Sequence, residues 1–299
     1  MQEEYVIETN GIFKRYKNKY AVNNVSIHVK RGDIYGLIGK NGAGKTTLMK
    51  LILGLANPTM GEVKLFGDTK LDAARRRIGS LIEDPGLYKG CTAYENMLRF
   101  SILYGADKNE IHNLLKLVGL DDTGNKKAGA FSLGMKQRLG IAISLLSHPE
   151  VLILDEPING LDPAGIKEIR DIILNLNREH GVTFIISSHL LDELAKVVTC
   201  YGIINNGFLT QEISAEKLEE QCRHFATVKT TDPAAAAKVL TEAFEGIELA
   251  QGEGRVTIYS HIDRTAEINE KLVKSGICPS ELTISTNGLE EFFIERLGR

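Results

Sequence analysis

An α/β fold with a largely parallel sheet is predicted by two observations. Short β-branched runs alternate with helical patterns up to about Thr210, the order expected of strand–helix–strand units. Two of those runs, "VLIL" at 151–154 and "TFIIS" at 183–187, are apolar without alternation, as strands buried on both faces are. A third observation adds a second, smaller unit, because the pattern changes at about Phe225.

The spacing predicts strands at 5–8, 25–29, 34–38, 63–66, 78–82, 151–154, 183–187 and 201–204. Ile111, Leu114, Leu115 and Val118 follow helical periodicity, and Gly119 suits the stop. Asp162-Pro163 reads as an N-cap followed by proline at the first helical position. From 225 onward "FATVKTT", "GIELA", "RVTIYS" and "ELTIS" read as strands. Helices are predicted over 232–244 and 263–275, each opened by an aspartate, and a final amphipathic helix over 289–297. Strand–helix–strand–strand–helix–strand describes a small α+β module of the split βαβ kind. The expected domains are residues 1–220 and 221–299.

A chain of 299 residues with 43% hydrophobic and 25% charged side chains has ordinary globular composition. Lys+Arg 36 against Asp+Glu 39 leaves a formal charge of -3, which gives no general attraction to nucleic acid. Arg75, Arg76 and Arg77 read as a solvated helix face. The cysteines, Cys91, Cys200, Cys222 and Cys278, lack metal-ligand spacing and read as the reduced thiols of a cytosolic protein. The N-terminus is acidic and has no signal-peptide pattern, and no run approaches the roughly 18 apolar residues of a membrane span. The expectation is a chain that does not cross a membrane and works at one only through a partner.

"IYGLIGKNGAGKTTLMK" contains the P-loop pattern from Gly39 to Thr46, with an apolar strand before it and a helix after it. Gly39, Lys40, Asn41, Gly42, Ala43 and Gly44 would turn backbone N–H groups toward phosphate oxygens at a helix N-terminus. Lys45 is expected to neutralise the β- and γ-phosphates, Thr46 to ligate Mg²⁺ and Thr47 to support the phosphates. "VLILDEP" supplies the carboxylates at a strand's C-terminal end: Asp155 toward Mg²⁺ through water, and Glu156 as general base for an attacking water. ATP and Mg²⁺ are therefore the expected ligands.

"GKNGAGKTT", "FSLGMKQR", "VLILDEP", "NGLD" and "IISSH" occur in the order of the nucleotide-binding subunits of ABC transporters, which residues 5 to 215 resemble. The resemblance implies a P-loop NTPase of ABC type with an antiparallel β portion and a helical subdomain at about 84–148. It implies a head-to-tail dimer with a second ATP-binding subunit, in which Ser132 and Gly134 face the γ-phosphate held by the partner subunit. Tyr16 stands where the family places an aromatic on adenine. His189 matches the switch histidine that contacts the γ-phosphate, and Asp162 the loop at the dimer interface. A multi-span membrane permease is the implied partner, with the subunit peripheral on the cytoplasmic face of the membrane.

Two departures from the family pattern stand out. Glu83 occupies the glutamine position of the Q-loop, where a carboxylate reaches Mg²⁺ through water while adding negative charge near the phosphates. Leu133 and Met135 replace a glycine and the glutamine of the usual signature. The stretch from Q-loop to signature, with the C-terminal module, resembles subunits that export bacitracin or lantibiotic-type peptides. A soluble ABC ATPase acting on ribosomes or DNA is the rival reading. One P-loop, no internal repeat and no sustained heptad run count against it.

Overall fold

The structure is a computed structural model and describes residues 5–221 and 224–286. The chain divides into two compact units after Ala215.

The first unit runs in the order β1 (Tyr5–Tyr16), β2 (Lys19–Val25), β3 (His28–Lys30), β4 (Ile34–Ile38), α1 (Lys45–Leu53), β5 (Met60–Leu65), α2 (Leu71–Arg75) and β6 (Ile78–Leu81). Then come α3 (Ala93–Tyr104), α4 (Ile111–Leu117), α5 (Leu133–Leu145), β7 (Val151–Asp155), α6 (Pro163–His180), β8 (Thr183–Ser188), α7 (Leu191–Ala195), β9 (Cys200–Asn205) and β10 (Phe208–Ser214). The central sheet has the order β10-β9-β4-β8-β7-β6 and is parallel except for β10. Every residue of β4 and β7 is buried, which explains their unbroken apolar text.

A second, antiparallel sheet is built on β1, which pairs with β2, β3 and β5. Ile7, Val29 and Leu65 from it join Leu48 and Ile153 in one buried cluster, each such side chain contributing about 1.5–3 kcal/mol on burial. The strand predicted at 5–8 continues to Tyr16, because its first part pairs with β3 and β5 and its last part with β2. The strand predicted at 25–29 is instead two, broken at Ser26 and Ile27. Thr9 bridges that break: its hydroxyl donates to Val25 O at 3.1 Å and accepts from Ile27 N at 3.0 Å.

Helices α3, α4 and α5 fill the stretch between β6 and β7. A reciprocal capping box starts α3, with Thr92 accepting from Glu95 N and the Glu95 carboxylate accepting from Thr92 N. Helix α5 lies close on β6: a Cβ at Gly140 would sit 2.7 Å from Pro85 and 2.9 Å from Leu81.

The arginine run is not a solvated helix face. Helix α2 ends at Arg75, whose Nε donates to Ile52 O, and Arg77 stacks on Phe66 with its guanidinium 3.5 Å from the ring centre. Arg77 Nε and Arg31 also hold the two Glu150 oxygens at 2.5 and 2.8 Å, joining the starts of β4, β6 and β7. These hydrogen bonds, Arg77 first and then Arg31, lower the Glu150 pKa from 4.5 to about 2. A folded-state value below the unfolded one stabilises the protein above pH 4.5, and that contribution is lost as pH falls toward 2. Because the carboxylate is partly exposed, Glu150→Gln is expected to cost only about 1 kcal/mol at neutral pH. Urea titrations at several pH values should show the difference vanish across that acid window. A difference that persists unchanged at the acid end would refute the ion-pair account.

The second unit follows α8 (Ala215–Gln221) with β11 (His224–Lys229), α9 (Pro233–Ala243), β12 (Leu249–Gly252), β13 (Arg255–Ile258), α10 (Thr265–Lys274) and β14 (Glu281–Thr286). Its sheet has the order β12-β13-β11-β14, every pair antiparallel. Ala226, Val228, Val256 and Ile258 from the strands pack with Leu240, Ile268 and Leu272 from the helices. Asp232 caps α9 by accepting from Ala235 N at 2.9 Å. Asp263 does not cap α10, because a 3₁₀ turn at Ile262–Arg264 intervenes and Arg264 takes the cap position. The helix expected at 289–297 lies outside the described residues, as does Cys222.

Cys91, Cys200 and Cys278 are free thiols, and burial pushes Cys200 up to about 12. Among the described residues no helix is long and apolar enough to cross a membrane.

Candidate active site

Strand β4 runs straight into the loop at 39–44, and the close packing there demands glycine. A Cβ at Gly39 would lie 2.3 Å from Ile204 O, and one at Gly44, where φ is +115°, would lie 2.4 Å from Ala21 O. The loop is clamped from behind by the β9–β10 turn. Gly207 N donates to Ala43 O at 2.8 Å, while Gly207 O accepts from Asn23 N at 2.8 Å. Gly44 caps α1 without any side-chain hydrogen bond, which leaves the cap position itself open to an anion. The result is a cleft of about 200 Å³ lined by Ala21, Asn41, Gly42, Ala43, Gly44, Lys45, Thr46, Thr47 and Glu156. Its backbone donors and lysine suit phosphate groups.

One connected set of polar side chains crosses this cleft. Lys45 is only 6% exposed; its Nζ donates to Gly39 O at 2.7 Å, has Lys40 O at 3.5 Å and lies 3.3 Å from Glu156 Oε1. Asp155 ends β7 with both oxygens engaged, Oδ2 accepting from Thr46 Oγ1 at 2.7 Å and Oδ1 from Ser187 Oγ at 2.6 Å. Glu156 N donates to Ser187 Oγ at 2.9 Å and to Ser187 O at 3.2 Å. These bonds fit a left-handed backbone at Glu156, φ +51°, which is costly for a side chain with a Cβ. From there its carboxylate meets Lys45 through Oε1 and His189 Nδ1 through Oε2 at 2.8 Å. Lys45, Thr46, Asp155, Glu156 and His189 are thus brought together from three separate stretches of chain. Ser187, which links Asp155 to the Glu156 backbone, was not singled out from the sequence. Its signal was the hydroxyl pair interrupting an apolar strand just before His189.

The other candidates lie outside the lining of this cleft. Glu83 pairs through Oε1 with Lys50 Nζ at 2.7 Å. Tyr16 is half-exposed with Lys14 Nζ 5.0 Å from its ring centre, whereas Tyr20 packs edge-on against Phe13. Ser132 caps α5 by accepting from Met135 N at 3.2 Å, and a Cβ at Gly134 would meet only Leu161 and Gly165 at ordinary contact distance. Asp162 caps α6 by accepting from Gly165 N at 3.1 Å. The helix starts of α5 and α6 therefore stand side by side.

The family model described as "ABC transporter" matches residues 22–159. The bacitracin transport ATP-binding protein BcrA of Bacillus licheniformis is 42% identical over 98% of this chain and 97% of its own length. The chain belongs to the ABC transporter family. The lantibiotic transport ATP-binding protein SrtF of Streptococcus pyogenes is 43% identical to this ABC subunit over 72% of the chain and 95% of its own length. Among solved structures, the ATP-binding cassette MJ0796 in a dimeric post-hydrolysis state with ADP and Pi is 26% identical. It superposes with a TM-score of 0.62 over 70% of this chain and 98% of that one. As an ABC ATPase, the chain binds ATP and couples its hydrolysis to transport.

Proposed function

We propose that this chain powers a multi-span permease that exports antimicrobial peptides or drug-like molecules, working at the cytoplasmic face of the membrane in an ATP-closed dimer. The observation that carries the reading is that Lys45, Thr46 and Glu156 line one cleft at the P-loop, with Asp155 bonded to Thr46 and His189 to Glu156. The substrate class rests on the relatives, which are named for bacitracin and lantibiotic transport.

The roles follow from the geometry. The backbone of 39–44 and the start of α1 hold the phosphates, and Lys45 neutralises them from beneath. Thr46 and Asp155, with oxygens 2.7 Å apart, form an oxygen donor set that fits Mg²⁺ and would hold it. When bound, Mg²⁺ supplies positive charge to the phosphate oxygens. Glu156 takes the proton of the attacking water, and His189 holds the second carboxylate oxygen so that the first stays aimed at the cleft. Ser132 and Gly134, which do not line their own chain's cleft, act at the second subunit's site through the α5 N-terminus. Closure is coupled to nucleotide because ATP then touches both subunits only in the closed dimer. The relatives' transport names and the one P-loop in the sequence do not support a ribosome- or DNA-directed ATPase.

The test is capture of the tagged chain from detergent-solubilised membranes of its host, with the companion proteins identified by mass spectrometry. A multi-span membrane protein is expected in comparable amount, and deletion of the gene should sensitise cells several-fold to bacitracin-type peptides. Recovery of ribosomal or DNA-repair proteins in place of a permease would overturn the transport reading.

A further inference from the structure

The carboxylate at position 83 raises a charge problem that the nucleotide site itself does not solve. Thr46 and Lys50 are four residues apart on α1 and share a helix face, so Lys50 stands one turn beyond the phosphate end of that helix. Glu83 reaches Lys50 from the loop after β6, with Oε1 and Nζ 2.7 Å apart. Its backbone is held at φ +63°, an uncommon conformation for a residue with a side chain. The Lys50 ammonium is shifted above its ordinary value chiefly by the Glu83 hydrogen bond, with the Asp155 carboxylate adding a smaller attraction. Lys50 thus ties the acidic loop to the helix that begins at the phosphate loop.

We propose that Lys50 is a positioning residue: it supplies the counter-charge that lets an acidic side chain occupy position 83 beside the triphosphate site. The proposal rests on the nucleotide-site reading above. With Lys50 present, the Glu83 charge is neutralised locally and the loop after β6 is tethered to the P-loop helix. Without Lys50, an uncompensated carboxylate is left about one helical turn along α1 from Thr46, and it repels phosphate held at that end. As an exposed ion pair, the contact contributes little to folding, so its consequence lies in ligand charge and not in stability.

A lysine that merely complemented the C-terminal end of the α1 dipole would behave differently. Its loss would lower the thermal midpoint and leave nucleotide affinity alone. The two accounts separate in a binding experiment with a fluorescent ATP analogue, in EDTA at low ionic strength, on the full chain. Lys50→Met is expected to weaken binding roughly three- to ten-fold, the size of a screened interaction between charges that are near but not in contact. Lys50→Arg should bind like the parent, and Glu83→Gln should bind more tightly. The double variant Lys50→Met/Glu83→Gln should return to parental affinity, and the Lys50→Met defect should shrink as salt is added. Parental affinity in Lys50→Met, or a double variant as weak as Lys50→Met, would overturn the proposal. Failure of the parent chain itself to bind the analogue would instead overturn the nucleotide-site reading.

Discussion

Glu156→Gln is expected to hold ATP and to lose turnover by roughly 10²- to 10⁴-fold, the range that a positioned general base contributes. The substitution keeps the shape of the side chain, and the amide oxygen can still meet Lys45 or His189. It removes the basicity, and it also removes a negative charge 3.3 Å from Lys45, which frees that ammonium for phosphate. Nucleotide therefore stays bound and the dimer stays closed. Phosphate release at steady state reads the first effect, and gel filtration with ATP reads the second. Mixing supplies a further arm. If Ser132 acts across the dimer, Glu156→Gln mixed with Ser132→Arg before ATP is added forms one site with every group intact, and turnover returns. Near-parental turnover by Glu156→Gln alone would remove the general-base assignment. Full activity of Ser132→Arg alone would reduce that serine to the cap of α5.

Lys45→Ala is expected to lose about 2–4 kcal/mol of ATP binding, or roughly thirty- to thousand-fold in affinity. Two effects add. The main cation facing the phosphates is gone, and Glu156 is left without its partner beside the incoming negative charge. Gly39 O also loses its buried donor at 2.7 Å, so some stability is lost as well. Equilibrium binding on a variant shown to be folded by circular dichroism measures the affinity term. Affinity within about twofold of the parent would show that the lysine does not face phosphate.

The parts of the fold that could be read from the sequence are those where burial is complete. Ile34–Ile38 and Val151–Asp155 are buried at every position, so hydrophobicity alone marks them. Strand β10 escaped notice because Phe208–Ser214 lies at the sheet edge, and its exposed positions dilute the apolar signal. The second half of β1 was missed for the same reason: "FKRY" pairs along its backbone while its charged side chains stay in water. In the site, residues whose spacing follows from one local turn were legible, as in the P-loop and the Asp155–Glu156 pair. Partners joined only through tertiary packing were not. Ser187 with Asp155, Lys50 with Glu83 and Gly207 with Ala43 meet across different elements, and no periodicity announces such pairs.

The clamp formed by Gly207 gives the phosphate loop an unusual place in the order of assembly. The loop belongs to the first strand–helix passage of the central sheet, yet its shape is closed by a turn that ends the same sheet. A nascent chain halted after β8 would carry every phosphate-binding residue of the motif and still lack the backbone groups that brace Ala43. Competence to bind nucleotide is therefore expected late in synthesis, once β9 and β10 have closed over the loop. A fragment ending at β8 should accordingly bind ATP more weakly than the chain that includes β9 and β10.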